Sequence, residues 1–428
     1  MRFRLLLGVL IGLGAHAQTY STNNDEQLAE YIGRALDRNP AVQSSFARYR
    51  ASLQRLPQVS ALPDPTIGLM QYLRTPETRV GPQTTGLSIQ QRFPWFGKLS
   101  DQEKLAAKEA AVMAAAHEAD KAETVRRVKL AYYDLAYVDR AVALNEQELE
   151  LLRHYETLAE ARYAQGIGLQ QAVVKLQAEI TRGLNRIETL RLRRVDAEVA
   201  LNLLTDRPAG EPTPPVALAS PPTARVDAAT LADSARRNRP EILAAFLRIE
   251  GDEKRIHLAR KQRLPDVTVG AGFVNVLGRR DPLGREFPPS GNGKNIYNLT
   301  VGMNLPIFRR KYDAGVLEAS ELLIASKQRY REQVNEAEAA IRSAGFRMEA
   351  IKRQMALFET TLVAQAEQAL RSSEDAYATG AIGAVELLDS ERVLLDVRLG
   401  LAQLQSDYMK ALAEMERAVG AAFPEETP

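Results

Sequence analysis

Two kinds of periodicity alternate along this chain, and the alternation happens twice. Helical spacing runs from Asp25 to Leu56, with Asn39-Pro40 in its early turns. Two short runs of strict alternation follow, separated by a polar loop, and helical spacing then resumes from about Lys98 to Tyr163. The second half repeats the order, with a helical stretch over Asp227 to Arg263, two alternating runs, and a long helical stretch from Asp313 to Tyr377. In the clearest alternating run Tyr297, Leu299, Val301, Met303 and Leu305 share one face, and Asn298, Thr300, Gly302 and Asn304 share the other. Its counterpart sets Leu87, Ile89, Gln91 and Phe93 against Gly86, Ser88, Gln90 and Arg92. A period of two with one apolar face is the mark of a strand.

The long helical stretches contain no proline, so nothing in their sequence stops the helix. Roughly 65 residues at 1.5 Å each make a rod of about 100 Å, too long for a globular domain. Alanine is dense from Ala106 through Ala122, which permits close helix approach. Glu123 with Arg127, Glu338 with Arg342 and Glu349 with Arg353 are spaced to pair on a solvated face. Each rod ends at glycines, Gly166-Ile167-Gly168 and Gly380-Ala381-Ile382-Gly383, and a helix returns over Gln170 to Leu204 and Val385 to Ala418. So short a connection forces the returning helix antiparallel. Such rods are stable only when packed side by side, as in a coiled coil.

The two halves are copies. Asn39-Pro40 recurs near Arg239-Pro240, a displacement of about 200 residues. Leu62-Pro63-Asp64 returns as Leu264-Pro265-Asp266, Phe93-Pro94-Trp95-Phe96 as Leu305-Pro306-Ile307-Phe308, and Tyr163-Ala164-Gln165-Gly166 as Tyr377-Ala378-Thr379-Gly380. So long a period marks a duplicated domain and not a solenoid. The expected organisation is a first repeat over 18–207, a proline-rich linker over 208–226, a second repeat over 227–421 and a tail over 422–428.

Composition narrows the class. Charged residues make up 26% and aromatics 6%, a balance suited to long helices and not to a mixed α/β enzyme. The net charge of +2 argues against nucleic acid as a partner. Arg2 and Arg4 precede the apolar run Leu5 to Leu13, and Ala15-His16-Ala17 gives a small-x-small site, so residues 1–17 read as a signal peptide too short to span a bilayer. The absence of cysteine excludes disulfides, thiolate metal sites and a lipidated N-terminal cysteine. His117, His154 and His257 lie on separate helices without ligand spacing, and no nucleophile elbow or phosphate loop appears, so no catalytic residue, metal site or cofactor is expected. Gly291-Asn292-Gly293-Lys294 reads as a hairpin tip.

Four short strands cannot close a barrel alone, and an open sheet with a greasy face invites association. Three chains would supply twelve strands, with apolar residues toward lipid and small polar residues toward a lumen. Tyr72, Phe93, Trp95, Phe96, Phe273, Tyr297 and Phe308 cluster near the strand ends, where a membrane-interface girdle sits.

The duplicated order of elements, the Phe93-Pro94-Trp95-Phe96-Gly97-Lys98 step and the Tyr-x-x-Gly turns resemble the TolC family of outer-membrane factors, and the Pro-Trp-Phe-Gly-Lys wording is similar to its heavy-metal efflux branch. The resemblance implies a helix-dominated fold with a small β part, in which long antiparallel helices form a coiled-coil barrel and four strands per chain join a trimeric twelve-stranded β-barrel. It implies a channel in the outer membrane with a long periplasmic portion, passively conducting substrate. Its partners would be two further copies, a periplasmic adaptor touching Gly166 to Gly168 and Gly380 to Gly383, an inner-membrane pump such as one of the RND type, and outer-membrane lipid. The strand loops Arg74 to Gln83 and Val276 to Asn295 would face outward. Glu386 and Asp389 match the two acidic positions lining the family's periplasmic aperture, and their spacing of three sets them on one helix face. Ile382 and Gln171-Ala172 depart from the family's gate positions, which puts its ionic latch in doubt here. The competing expectation is a periplasmic or surface coiled-coil scaffold without a pore.

Overall fold

The computed structural model describes residues 25–222 and 227–422; the signal-peptide reading and nearly all of the expected tail lie outside them. The first half contains α1 (Glu26–Arg38), α2 (Pro40–Ser60), β1 (Thr66–Gln71), β2 (Gln83–Phe93), α3 (Lys98–Ala164) and α4 (Gln170–Leu204). The second contains α5 (Ala228–Asn238), α6 (Pro240–Lys261), β3 (Val267–Val276), a short α7 (Pro282–Glu286), β4 (Ile296–Met303), α8 (Arg309–Leu357), a π-helical turn over Phe358–Leu362, α9 (Val363–Thr379) and α10 (Ala384–Val419). The described residues fold as two compact units, each drawn from both halves: one from 25–46, 115–222, 227–243 and 332–422, the other from 47–114 and 244–331.

Local chemistry accounts for the breaks. The helical stretch expected over Asp25 to Leu56 is two helices, broken where the Asn39-Pro40 step suggests a fresh start, because Pro40 cannot donate a backbone hydrogen bond and restricts the residue before it. Asn39 carries the fresh start: its Oδ1 accepts from the Ala41 amide at 2.9 Å, and its Nδ2 donates to the Leu204 carbonyl at 2.9 Å. Asp25 caps α1 by accepting from the Leu28 amide at 3.0 Å. The second rod was expected to run unbroken and does not. Its π-helical turn brings the Phe358 ring against Gly400 of α10, where an added Cβ would stand 2.8 Å from the ring.

The first unit holds the helical core. Tyr132, Leu135, Leu152, Leu176, Leu201, Ile341, Met348, Leu387, Met409 and Met415 are all fully buried in it. The chain after α4 is extended and pinned to this unit: the Val216 amide donates to Asp139 at 2.8 Å and the Thr213 amide to Glu198 at 2.9 Å. Arg194 binds both carboxylates, and the Tyr408 hydroxyl donates to the Pro222 carbonyl at 3.1 Å. Of the expected helix-surface pairs, Glu123 meets Arg127 at 2.9 Å and Glu349 meets Arg353 at 3.9 Å. Glu338 instead meets Arg236 of α5 at 2.7 Å, because packing places a guanidinium from another helix beside it.

The second unit holds one antiparallel sheet in the order β1-β2-β3-β4. Its register sets Ile67 opposite Ile89 and Leu69 opposite Leu87; Phe93 faces Val267, and Phe273 faces Leu87 on one side and Tyr297 on the other. Paired residues share a face. Ile67 and Leu69, Leu87 to Phe93, Val267 to Phe273 and Tyr297 to Met303 therefore contribute alternate residues to one apolar surface across all four strands. The opposite face carries Thr66, Gly68, Gly86, Ser88, Gln90, Thr268, Gly270, Gly272, Asn298, Thr300 and Gly302, with an apolar row of Met70, Val274 and Ile296 at its loop end. The two strand loops bind each other, with the Gly293 amide donating to the Val80 carbonyl at 2.8 Å and the Leu277 amide to the Pro82 carbonyl at 2.9 Å. Gly291 and Gly293 take positive φ, as a hairpin tip requires.

Candidate functional site: the helical turns and the open sheet

Both glycine turns close the same way. Gly166 and Gly380 sit just past their helices at φ +76° and +79°, a conformation that costs glycine nothing. The Ile167 and Gly168 amides both donate to the Arg162 carbonyl, at 3.1 and 3.0 Å, and the Ala381 amide donates to the Ala376 carbonyl at 2.8 Å. Arg162 ties the turns together. Its guanidinium donates to the Tyr377 and Ala378 carbonyls at the end of α9 and lies 5.0 Å from the Tyr377 ring centre. A cation there also opposes the negative end of that helix. Arg162 was not singled out in the sequence, where nothing separates it from other helix-surface arginines.

Ile167 and Leu169 project from the first turn at 70% and 73% exposure, Gly166, Ala381 and Gly383 are exposed with them, and Gly168 is half-buried. Ile382 is half-buried against the cluster of Leu152, Tyr155, Leu176, Tyr377 and Leu387 that joins the helices behind the turns. Glu386 and Asp389 lie in the first two turns of α10, both exposed, while Leu387 between them is fully buried. The burial of Leu387 orients the helix, so the two acids look away from the core. Neither acid enters an ion pair among the described residues.

One turn further along α10 the electrostatics change. Glu391 is buried, and its Oε2 has no hydrogen-bond partner among the described residues. Burial, together with the nearby Glu148 and Glu374 carboxylates, pushes its pKa up to about 7, opposed by Arg398. Its neighbours are better served: Glu148 meets Arg186 at 2.7 Å, and Glu179 is held by Arg182, Arg186 and Arg392. The Tyr155 hydroxyl donates to Glu374, and Arg398 meets Glu367 at 3.0 Å. Burial of His117 lowers its pKa, and its ring accepts from or donates to Ser45 at 2.8 Å. His154 lies beside Tyr155, and His257 is exposed. Among the described residues no three potential donors converge on a metal-sized site.

In the sheet unit the aromatics fall into two groups. Phe93, Trp95, Phe96 and Phe308 stand where β2 and β4 lead into the long helices, with Phe96 and Phe308 largely exposed. Phe273 and Tyr297, with ring centres 5.5 Å apart, and Tyr72 stand toward the loops. In register the Phe93 and Phe273 rows are six residues apart along β3, about 20 Å at strand rise. Between them the apolar face carries Ile67, Leu299 and Val301, and Leu69 lies in the Phe273 row, each exposed by two thirds or more. Among the described residues the outer edges of β1 and β4 have no strand beside them. No helix among the described residues is long and apolar enough to cross a membrane.

A helix-dominated protein with paired glycine turns and a small sheet, greasy on one face and polar on the other, is a channel protein whose strands serve the membrane and whose helices serve the aqueous side. The chain belongs to the outer membrane efflux protein family, whose model matches residues 31–206 and 231–421. It is similar to nodulation protein T of Rhizobium leguminosarum bv. trifolii, at 26% identity over 94% of this chain and 86% of that protein. Among solved structures, the outer membrane protein VceC of Vibrio cholerae superposes with a TM-score of 0.73 at 22% identity, covering 94% of this chain and 97% of that one. The CmeC outer membrane channel of Campylobacter jejuni gives 0.73 at 14% identity, covering 94% and 88%. The protein is thus an outer-membrane channel component of an efflux or export system, and the poreless scaffold is set aside.

Proposed function

We propose that the protein works as a homotrimer in which three four-stranded sheets close a twelve-stranded barrel, a passive conduit without catalytic chemistry or cofactor. The observation that carries this reading is the sheet itself. One face is apolar from edge to edge and both edges are open, an arrangement that lipid and further strands would satisfy together. The turns at Gly166 to Gly168 and Gly380 to Gly383 receive a periplasmic adaptor, with exposed Ile167 and Leu169 as the apolar part of that contact. An inner-membrane pump, such as one of the RND type, supplies the energy.

Glu386 and Asp389 then form stacked acidic rings at the periplasmic aperture. Their exposure, and their position immediately after the turn, support this role. Three copies of each carboxylate would favour cations and bind multivalent ones. The test is single-channel recording of the trimer carrying Glu386→Gln with Asp389→Asn. Reduced cation preference and weaker block by multivalent cations are expected. Unchanged selectivity and block in a correctly assembled double variant would place the acids outside the conduction path.

A further inference from the structure

The two halves of the chain meet in the sheet at β2 and β3, and that joint is clamped at its helix-proximal end. Asp266, just before β3, is 5% exposed. It accepts from Lys98 Nζ at 2.8 Å, from the Trp95 amide at 3.1 Å and from Arg92 Nε at 3.1 Å. Lys98 opens α3 and also donates to the Leu264 carbonyl at 2.7 Å. An acid ahead of one strand is therefore locked to a base at the start of the helix that follows its neighbour. A buried pair of this kind costs desolvation and is worth little in bulk stability, but it penalises any arrangement that leaves one partner alone.

The internal repeat carries both partners over. Leu62-Pro63-Asp64 aligns with Leu264-Pro265-Asp266, so Asp64 stands ahead of β1 where Asp266 stands ahead of β3. Phe93-Pro94-Trp95-Phe96-Gly97-Lys98 aligns with Leu305-Pro306-Ile307-Phe308-Arg309-Arg310, so Arg310 stands at the start of α8 where Lys98 opens α3. Yet Asp64 and Arg310 are both exposed, and neither enters an ion pair among the described residues. The reason is topological: β1 and β4 are the two outer edges of the sheet, so the acid and the base that correspond to the buried clamp lie at opposite edges. Each is the counterpart of a group that a second copy of the chain would bring to that edge.

We propose that Asp64 of one copy pairs with Arg310 of the partner subunit, and that this ion pair sets the β4-to-β1 seam between copies as Lys98 and Asp266 set the joint within each copy. The proposal rests on the closed-barrel reading and adds its register. Transferring the β2·β3 pairing, in which Arg92 faces Thr268, Gln91 faces Val269 and Ile89 faces Ala271, sets Thr66 opposite Asn304 of the partner subunit. Ile67 then faces Met303 of the partner subunit, and Leu69 faces Val301 of the partner subunit. This keeps the apolar surface continuous across the seam; a slip of one residue would turn it inside out. The interface is head-to-tail, acid edge to base edge, so it is satisfied everywhere only when the copies close into a ring.

The absence of cysteine makes the test clean. A Thr66→Cys, Asn304→Cys chain oxidised in outer membranes is expected to give covalent dimer and trimer bands in denaturing gels, with little product from either single variant. Separately, Asp64→Arg and Arg310→Asp are each expected to lower the temperature at which the trimer dissociates in detergent, and the combined swap to recover at least half of the loss. A wild-type chain that lysine cross-linkers show only as monomer would overturn the barrel reading. An intact trimer with no disulfide and no recovery in the swap would overturn the seam pairing alone.

Discussion

Glu391 is the clearest place where the helical unit holds a charge it cannot satisfy. Its ordinary pKa of 4.5 rises to about 7, because burial and the Glu148 and Glu374 carboxylates disfavour the ionised form more than Arg398 favours it. The sign of the consequence follows from which state holds the proton. Below about pH 4.5 the side chain is neutral whether the chain is folded or not, and it costs nothing. From there to about pH 7 the unfolded chain has lost a proton that the folded chain keeps, so stability falls as pH rises and then levels off. At about 1.4 kcal/mol per unit, a shift of this size costs roughly 3 kcal/mol per chain once the group is ionised. Glu391→Gln removes that cost while keeping the shape. Thermal unfolding in detergent at about pH 5 and about pH 8 should therefore show the variant close to wild type at the lower pH and clearly more stable at the higher. A constant difference at the two pH values would mean that Glu391 is not a strained acid, and a less stable variant at high pH would mean that its charge is used.

Three further outcomes test the turns and the first helix. Arg162→Ala removes the side chain that satisfies the Tyr377 and Ala378 carbonyls; opening of the second turn should become easier by about 1 kcal/mol. Hydrogen exchange at the amides of 380–382 would register it, and unchanged exchange would show that water replaces the guanidinium fully. Gly166→Ala should cost about 1–2 kcal/mol in chemical denaturation, since no atom lies near the new methyl and the whole effect comes from the positive φ. Gly33→Ala, also free of neighbours but inside α1, should instead gain about 0.5–1 kcal/mol, and a loss there would contradict its open surroundings.

Much of this protein was legible along the chain because its elements are long and locally determined. Period-two alternation, unbroken alanine-rich runs and Tyr-x-x-Gly punctuation are decided by neighbours a few residues away, and the first rod and both returning helices end within a residue or so of where the pattern stops. Proline chemistry placed the break at Asn39 in the same way. What tertiary structure decided involves groups distant in sequence. Glu338 chose Arg236 over Arg342 because another helix brought the better-placed guanidinium. The π-helical turn at Phe358 depends on the space left by Gly400, and the capping role of Arg162 depends on a helix end more than two hundred residues away. The contrast between Asp266 and Asp64 is sharpest. The two sit in nearly the same words, Leu-Pro-Asp, yet one is buried against Lys98 and the other lies open at an edge. Strand order, which no local pattern encodes, separates them: a residue's neighbours along a sheet are set by which strands pair, and pairing is a property of the whole fold.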